Sequence, residues 1–183
     1  MDKNTLRKMI QEKRNALSKQ EVMQKSKIIE EKTVPFLKGT VALYKAFQNE
    51  VCINNLQAFV SQYALPVTKK KEPLRFYICN ETTKFKTSSY GIEEPIDGIL
   101  CDALQFDIMV IPIVGFDENC NRLGYGKGYY DAYLKQTNAL KIGVAYECQK
   151  VDRIPVESYD VPLDMIITES NIYIHDKKNR STM

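Results

Sequence analysis

The sequence predicts an α/β fold: a single three-layer domain with a mostly parallel central sheet flanked by helices. Short apolar runs of strand character alternate with helical stretches, the pattern that gives parallel sheets covered on both faces. A glycine-rich turn at residues 124–128 falls between a predicted strand and a predicted helix, where such sheets hold ligands. The chain has 183 residues, of which 44% are hydrophobic and 27% charged, enough for one domain with one core. No internal repeat, low-complexity segment or linker interrupts it. Residues 1–173 are therefore expected to form one α/β domain, and 174–183 a disordered polar tail.

The elements follow in order. Leu6, Met9, Ile10 and Lys13 mark one face of a first helix that starts near Thr5. Ser18-Lys19-Gln20-Glu21 is a capping box: the serine accepts from the amide three residues on, and Glu21 reaches back. The second helix then runs through Val22, Ile28 and Ile29 until Pro35 or Gly39 stops it. Thr40 to Tyr44 reads as a buried strand, followed by the polar Gln48-Asn49-Glu50 and a helical stretch from Ile53 to Tyr63. Leu65–Thr68 and Leu74–Cys79 are short β runs, separated by the basic turn Lys69-Lys70-Lys71-Glu72-Pro73. Residues 80–105 are polar and irregular. Phe106–Val114 is the clearest buried strand. It ends in Gly115 and an Asp-Glu-Asn turn. A helix over Lys127–Gln136, a strand over Lys141–Tyr146, a loop with Pro155 and Pro162, and a last strand over Met165–Thr168 complete the pattern.

Composition removes several chemistries. The single histidine, His175, lies in the polar tail, which excludes Ser/His/Asp and Cys/His nucleophilic catalysis and metal sites built on several imidazoles. The five cysteines are widely spaced with no C-x-x-C pair, so they read as reduced, mostly buried thiols of a cytoplasmic protein. The N-terminus lacks the apolar stretch of a secretory signal, and no apolar run approaches the ~20 residues of a membrane span. Neither a membrane nor export is expected. A net charge of +3 is too mild for a nucleic-acid binder, and the Lys69-Lys70-Lys71 run reads as a solvated turn. A local basic pocket for a small anionic ligand fits that balance.

The chemistry concentrates in Asn121-Arg122-Leu123-Gly124-Tyr125-Gly126-Lys127-Gly128-Tyr129-Tyr130-Asp131. Three of the chain's eight glycines lie within five positions here. Glycine lets successive amides converge on a phosphate, and a following helix adds its N-terminal partial charge. Arg122 and Lys127 supply cations suited to a polyphosphate. The alternate spacing is neither a Walker A loop nor a G-x-G-x-x-G fingerprint. A glycine cluster alone can be only a tight turn. Two cations, two tyrosines and an aspartate in the same turn favour a site that binds charge and a flat ring.

That segment, with Ile111-Pro112-Ile113-Val114-Gly115-Phe116-Asp117 before it and Lys141-Ile142-Gly143-Val144-Ala145-Tyr146, Gln149, Pro155, Val156, Glu157, Asp160, Asp164 and Thr168-Glu169 after it, resembles the 5-formyltetrahydrofolate cyclo-ligase family. With the N-terminal Lys3…Arg7 helix and the Tyr44…Glu50 segment, the resemblance covers nearly the whole chain. It implies an ATP-dependent ligase that cyclises 5-formyltetrahydrofolate to 5,10-methenyltetrahydrofolate with release of ADP and phosphate. The partners it implies are the folate and ATP, with Mg²⁺ as cofactor. The competing reading is a non-catalytic nucleotide or sugar-phosphate binding module, which would explain the glycines but not the downstream aspartates.

The resemblance also implies roles. Arg122, Leu123, Gly124, Tyr125, Gly126, Lys127, Gly128, Tyr129 and Tyr130 run along the ATP phosphates, with Tyr125 to Tyr129 also facing the folate. Arg122 can fork two phosphate oxygens, and Lys127 is a point charge suited to the γ-phosphate; with Tyr129 these are the expected catalytic residues. Tyr129 either orients the pterin or is a half-buried aromatic at a helix start. Asp131 and Asp160 match the magnesium-binding aspartates; otherwise they are a first-turn helix acid and a loop residue. Asp164 is a further acid for the same site. Lys3 and Arg7, four apart on a helix, match ATP-binding positions rather than solvated surface charges. Glu50 matches the folate-contacting acid. Tyr159 stands where many members carry histidine, and Cys120 and Cys148 match no functional position.

Overall fold

The computed structural model describes residues 1–69, 72–88 and 91–176; Lys70 and Lys71 of the lysine run, and 177–183 of the expected tail, lie outside them. Two helices open the chain, α1 (Lys3–Asn15) and α2 (Lys19–Thr33). Asp2 caps α1 by accepting from the amides of Asn4 and Thr5, and the Ser18–Glu21 box caps α2 in both directions. The buried face of α1 is Leu6, Ile10 and Arg14, where the sequence pattern points to Lys13.

Among the described residues twelve strands follow: β1 (Thr40–Ala42), β2 (Gln62–Val67), β3 (Arg75–Cys79), β4 (Phe85–Thr87), β5 (Glu93–Pro95), β6 (Ile99–Cys101), β7 (Ile108–Pro112), β8 (Gly115–Phe116), β9 (Arg122–Leu123), β10 (Leu140–Val144), β11 (Met165–Ile167) and β12 (Ile172–Ile174). Eight build the main sheet in the order β12-β11-β10-β7-β1-β2-β3-β6. The five central strands from β11 to β2 are parallel, and β12, β3 and β6 add antiparallel edges. The expected α/β architecture is present.

Strand periodicity sorts the core into two faces. Ile108 and Val110 of β7 join Val41, Ile142 and Ile29 of α2 on one side. Met109 and Ile111 join Ala42, Phe76 and, from the helix α3 (Tyr129–Leu134), Tyr133 and Leu134 on the other. With neither face exposed, β7 is apolar along most of its length, which is why it reads so clearly. α1 packs separately, through Leu6 and Ile10, on Val114, Leu123 and Ile154.

Four expectations need correction. The helical stretch from Ile53 to Tyr63 is a six-residue 3₁₀ segment, Asn54–Phe59, because β2 claims the chain from Gln62 to pair with β1. Residues 80–105 are not irregular: they hold the hairpin β4–β5 and the edge strand β6. The helix expected over Lys127–Gln136 is α3, six residues starting at Tyr129, since Gly128 at its N-cap has a left-handed backbone. The last strand is β12, and its Ile174 crosses the boundary expected at 173. His175 beyond it is docked, its amide donating to the Asp164 carbonyl and its Nδ1 lying 2.8 Å from the Asn119 carbonyl oxygen.

Candidate active site

The carboxyl ends of β1, β2 and β7 open onto a cleft of about 470 Å³, lined there by Tyr44, Leu65 and Pro112. This is where a parallel sheet offers a ligand site. Residues 122–131 form one wall, α1 contributes Lys3 and Arg7, and the 157–160 loop contributes Asp160. Every site residue expected from the sequence except Asp164 lines this single cleft: Lys3, Arg7, Glu50, Arg122, Leu123, Gly124, Tyr125, Gly126, Lys127, Gly128, Tyr129, Tyr130, Asp131 and Asp160. Asp164 sits at the start of β11, the opposite end of the strands. It accepts from the Lys141 amide and pairs with the Lys141 ammonium at 3.9 Å, pinning β10 to β11 rather than serving the cleft.

The turn is built by its glycines and by what anchors it. Gly126 and Gly128 have φ of +89° and +69°, and a Cβ on Gly126 would stand 3.2 Å from the Arg7 guanidinium carbon. Arg7 lies against that bare backbone, with Nε donating to the Gly124 carbonyl at 2.7 Å and Nη1 to Asn4 Oδ1 at 2.7 Å. Upstream, the fully buried Asp117 accepts from the Asn119, Asn121 and Ile154 amides, which fixes the β8–β9 hairpin and thus Arg122. With only six residues, α3 contributes little dipole, so the side-chain cations carry the positive charge of this wall.

Those cations are paired. The Arg122 side chain, 5% exposed, is bonded to Asp131, and the Lys3 ammonium is 2.6 Å from Asp160 and 3.8 Å from Glu157. Burial lowers the Arg122 pKa, and the charges of Asp131 and Asp160 raise it, so both aspartates act on one guanidinium. Five basic and five acidic side chains line the cleft. Two of the phosphate-directed cations, Lys3 and Arg122, thus have a carboxylate beside them, while Arg7 rests on the Gly124 carbonyl and Asn4. Among the described residues no three acids, histidines or cysteines cluster as a metal cage. Two carboxylates suffice for Mg²⁺, which fills its remaining positions with phosphate oxygens and water. The donor set at Asp131 and Asp160 fits that ion.

At the other end of the cleft Glu50 is 5% exposed. Burial raises its pKa; bonds from the Tyr125 hydroxyl to Oε1 at 2.6 Å and from the Phe47 amide to Oε2 at 2.8 Å pull it down, as does the charge of Arg14. Burial also raises Tyr44, Tyr125 and Tyr130, which stay neutral donors at ordinary pH. The Tyr129 hydroxyl lies 3.4 Å from the Lys69 carbonyl, at the cleft margin. Tyr159 is 53% exposed and lies under the Lys3 ammonium, 5.7 Å from ring centroid to nitrogen. Cys120 is fully buried, which pushes its thiol up to about 12, a packing residue rather than a nucleophile.

Two residues escape the sequence reading. Lys45 follows β1 into the cleft and lies over the Phe85 ring at 5.8 Å. Arg14, behind the cleft, donates to the Tyr125 hydroxyl at 3.0 Å. Helical spacing could have revealed it: at 3.6 residues per turn, Lys3, Arg7 and Arg14 fall within about 40° of one another, a cationic stripe beside the apolar face.

Known proteins are similar to this chain in sequence and in fold. The model of the 5-formyltetrahydrofolate cyclo-ligase family matches residues 1–169. A 5-formyltetrahydrofolate cyclo-ligase of Mycoplasma pneumoniae is 37% identical, over 92% of this chain and 99% of its own length. One from Haemophilus influenzae is 35% identical over 67% and 72% respectively. The solution structure of Aquifex aeolicus 5,10-methenyltetrahydrofolate synthetase superposes with a TM-score of 0.85 at 31% identity, covering 95% of this chain and 93% of that one. Matching model, end-to-end identity and shared fold agree with the turn that carries the charge: this chain belongs to the 5-formyltetrahydrofolate cyclo-ligase family.

Proposed function

We propose that the chain closes 5-formyltetrahydrofolate to 5,10-methenyltetrahydrofolate at the expense of ATP, and that the cleft described above is where it does so. The carrying observation is the convergence in one cleft of phosphate-directed cations, Lys3, Arg7, Arg122 and Lys127, with a buried carboxylate, Glu50, at the far end. The formyl oxygen attacks the γ-phosphorus and ADP leaves with the bond's electron pair. The neighbouring arylamine nitrogen, N10, then attacks the iminium carbon. The formyl oxygen departs on phosphate, which also takes up the N10 proton, so all atoms and charges are accounted for. No protein nucleophile is needed, in keeping with a lone histidine docked outside the cleft residues.

Arg122 and Lys127 neutralise the charge of the moving phosphoryl group, with Tyr129 beside them at the cleft margin. Lys3 and Arg7 hold the polyphosphate against the open backbone of residues 124–128. Glu50 accepts from the pterin N–H groups, with Tyr125 between the two halves. Asp131 and Asp160 would hold Mg²⁺, which when bound screens the phosphate oxygens as charge shifts. ATP would enter by exchange: Arg122 and Lys3 trade carboxylates for phosphate oxygens, which would leave Asp131 and Asp160 to hold the metal. Five free thiols suit a reducing, cytoplasmic setting. Among the described residues no helix is long and apolar enough to cross a membrane.

Phosphate release with MgATP, with and without 5-formyltetrahydrofolate, tests the reading, with methenyl formation followed by absorbance. Release and product in equal amounts, both dependent on the folate, are expected. Nucleotide binding without folate-dependent turnover would instead assign a non-catalytic binding module.

A further inference from the structure

Arg14 is fully buried, 1% exposed, and is the largest side chain so enclosed among the described residues. Its hydrogen bond from Nη2 reaches the Tyr125 hydroxyl at 3.0 Å, while Nε and Nη1 have no protein partner. A buried guanidinium left partly unpaired lowers stability, so folding alone does not explain the residue. Its charge acts elsewhere. The Tyr125 oxygen that accepts from Arg14 donates onward to Glu50 Oε1 at 2.6 Å, and a hydroxyl polarised at its oxygen is a stronger donor.

The surroundings of Glu50 leave this task to Arg14. Tyr125 from the glycine turn, Tyr130 from α3 and Tyr44 after β1 face the carboxylate, and the Tyr146 hydroxyl, after β10, bonds to the Glu50 carbonyl at 3.2 Å. All are neutral phenols. The Phe47 amide holds the second oxygen. Burial leaves the Glu50 pKa above its ordinary value; the Tyr125 bond opposes it most, then the Phe47 amide, and then Arg14, which adds a positive charge that favours the carboxylate.

We propose that Arg14 is a positioning residue for folate recognition: through the Tyr125 hydroxyl it keeps the Glu50 carboxylate ionised and oriented as the acceptor of pterin N–H groups. Protonated, Glu50 would present a donor to donors, and folate would be rejected. The inference rests on the folate role proposed for Glu50. It makes α1 two-ended, with Lys3 and Arg7 on the nucleotide and Arg14, from behind, on the folate.

The test compares the unaltered protein with Arg14→Met, Arg14→Lys and Tyr125→Phe. Two quantities are followed between about pH 5 and 9: 5-formyltetrahydrofolate affinity by calorimetry, and the Glu50 carboxyl titration by carbon NMR without folate. In Arg14→Met and Tyr125→Phe the acid limb of folate binding should move up by a unit or more, weakening affinity about tenfold near pH 6 and converging on the unaltered protein at alkaline pH. Arg14→Lys should restore part of the shift, and in both Arg14 variants KM for MgATP should stay within about twofold. Arg14→Met should keep or raise Tm, since it removes unpaired buried donors. An acid limb and a Glu50 titration left in place, or folate affinity lost equally at every pH together with ATP affinity, overturns the proposal. Should Arg14→Met fail to fold, Arg14→Gln decides in its place, because Tyr125→Phe removes the Glu50 hydrogen bond whatever Arg14 does. Should the unaltered protein bind no folate, the proposed function fails, and the Glu50 titration alone judges the relay.

Discussion

Arg122 and Lys127 carry the same formal charge into the cleft in different ways. Arg122 is held by Asp131 with 5% of its side chain exposed, and Lys127 is exposed at the surface of the turn. The planar guanidinium suits a fork on fixed phosphate oxygens and the ammonium a point charge beside the γ-phosphoryl group. Lys127→Ala should lower kcat more than tenfold while leaving Tm unchanged, and Arg122→Ala should lower both, because Asp131 loses its partner. Arg122→Lys should recover little, since an ammonium cannot fork two oxygens. Steady-state kinetics beside thermal melts check this, and near-normal turnover in a folded Lys127→Ala would remove it from the reaction. These residues were legible because charge and glycine crowd one short turn. Arg14 was not, since an arginine on an amphipathic helix reads as solvent-facing until packing shows it enclosed.

Among the elements, α1 brings Lys3 and Arg7 to the cleft, and its first turn depends on Asp2. Bonds from the Thr5 side chain, the Thr5 amide and the Asn4 amide bring the Asp2 pKa down to about 2 from 3.8. Because the folded state prefers the carboxylate, the cap stabilises fully above about pH 4, the unfolded range, and fades as pH falls through about 2. Asp2→Ala should therefore differ from the unaltered protein in urea denaturation at neutral pH and match it near pH 2. With α1 frayed at Lys3, KM for MgATP should rise severalfold with kcat nearly kept. A gap that persists at pH 2 would locate the effect outside the cap. α1 and α2 were legible because capping and periodicity are local. The 53–63 stretch and the β4–β5 hairpin were not: the first yields to pairing with β1, and the second is three-residue strands with β4 wholly exposed, whose pattern is set by the partner strand.

Across the whole molecule, the parallel sheet was legible from alternating strands and helices, but the closure of the cleft was not. Lys3 meets Asp160 across 157 residues of sequence, and no local pattern encodes so distant a contact. That ion pair and the Arg122–Asp131 pair put a carboxylate beside two of the cations that line the cleft. On the proposed function, ATP alone would meet those carboxylates as repulsion, whereas with Mg²⁺ the same groups would serve as ligands and the nucleotide would tie α1, the glycine turn and the 157–160 loop together. Ligand that binds only the folded state at about a hundred times its Kd adds about 2.7 kcal/mol. For a chain of this size that is a rise in Tm of about 5–10 °C. MgATP should give that rise and ATP with a chelator a much smaller one. In Asp131→Asn and Asp160→Asn the difference between the two conditions should shrink, because less of the binding then depends on the metal. Equal shifts with and without Mg²⁺ in the unaltered protein would place the metal elsewhere and leave both aspartates as partners of Arg122 and Lys3 alone.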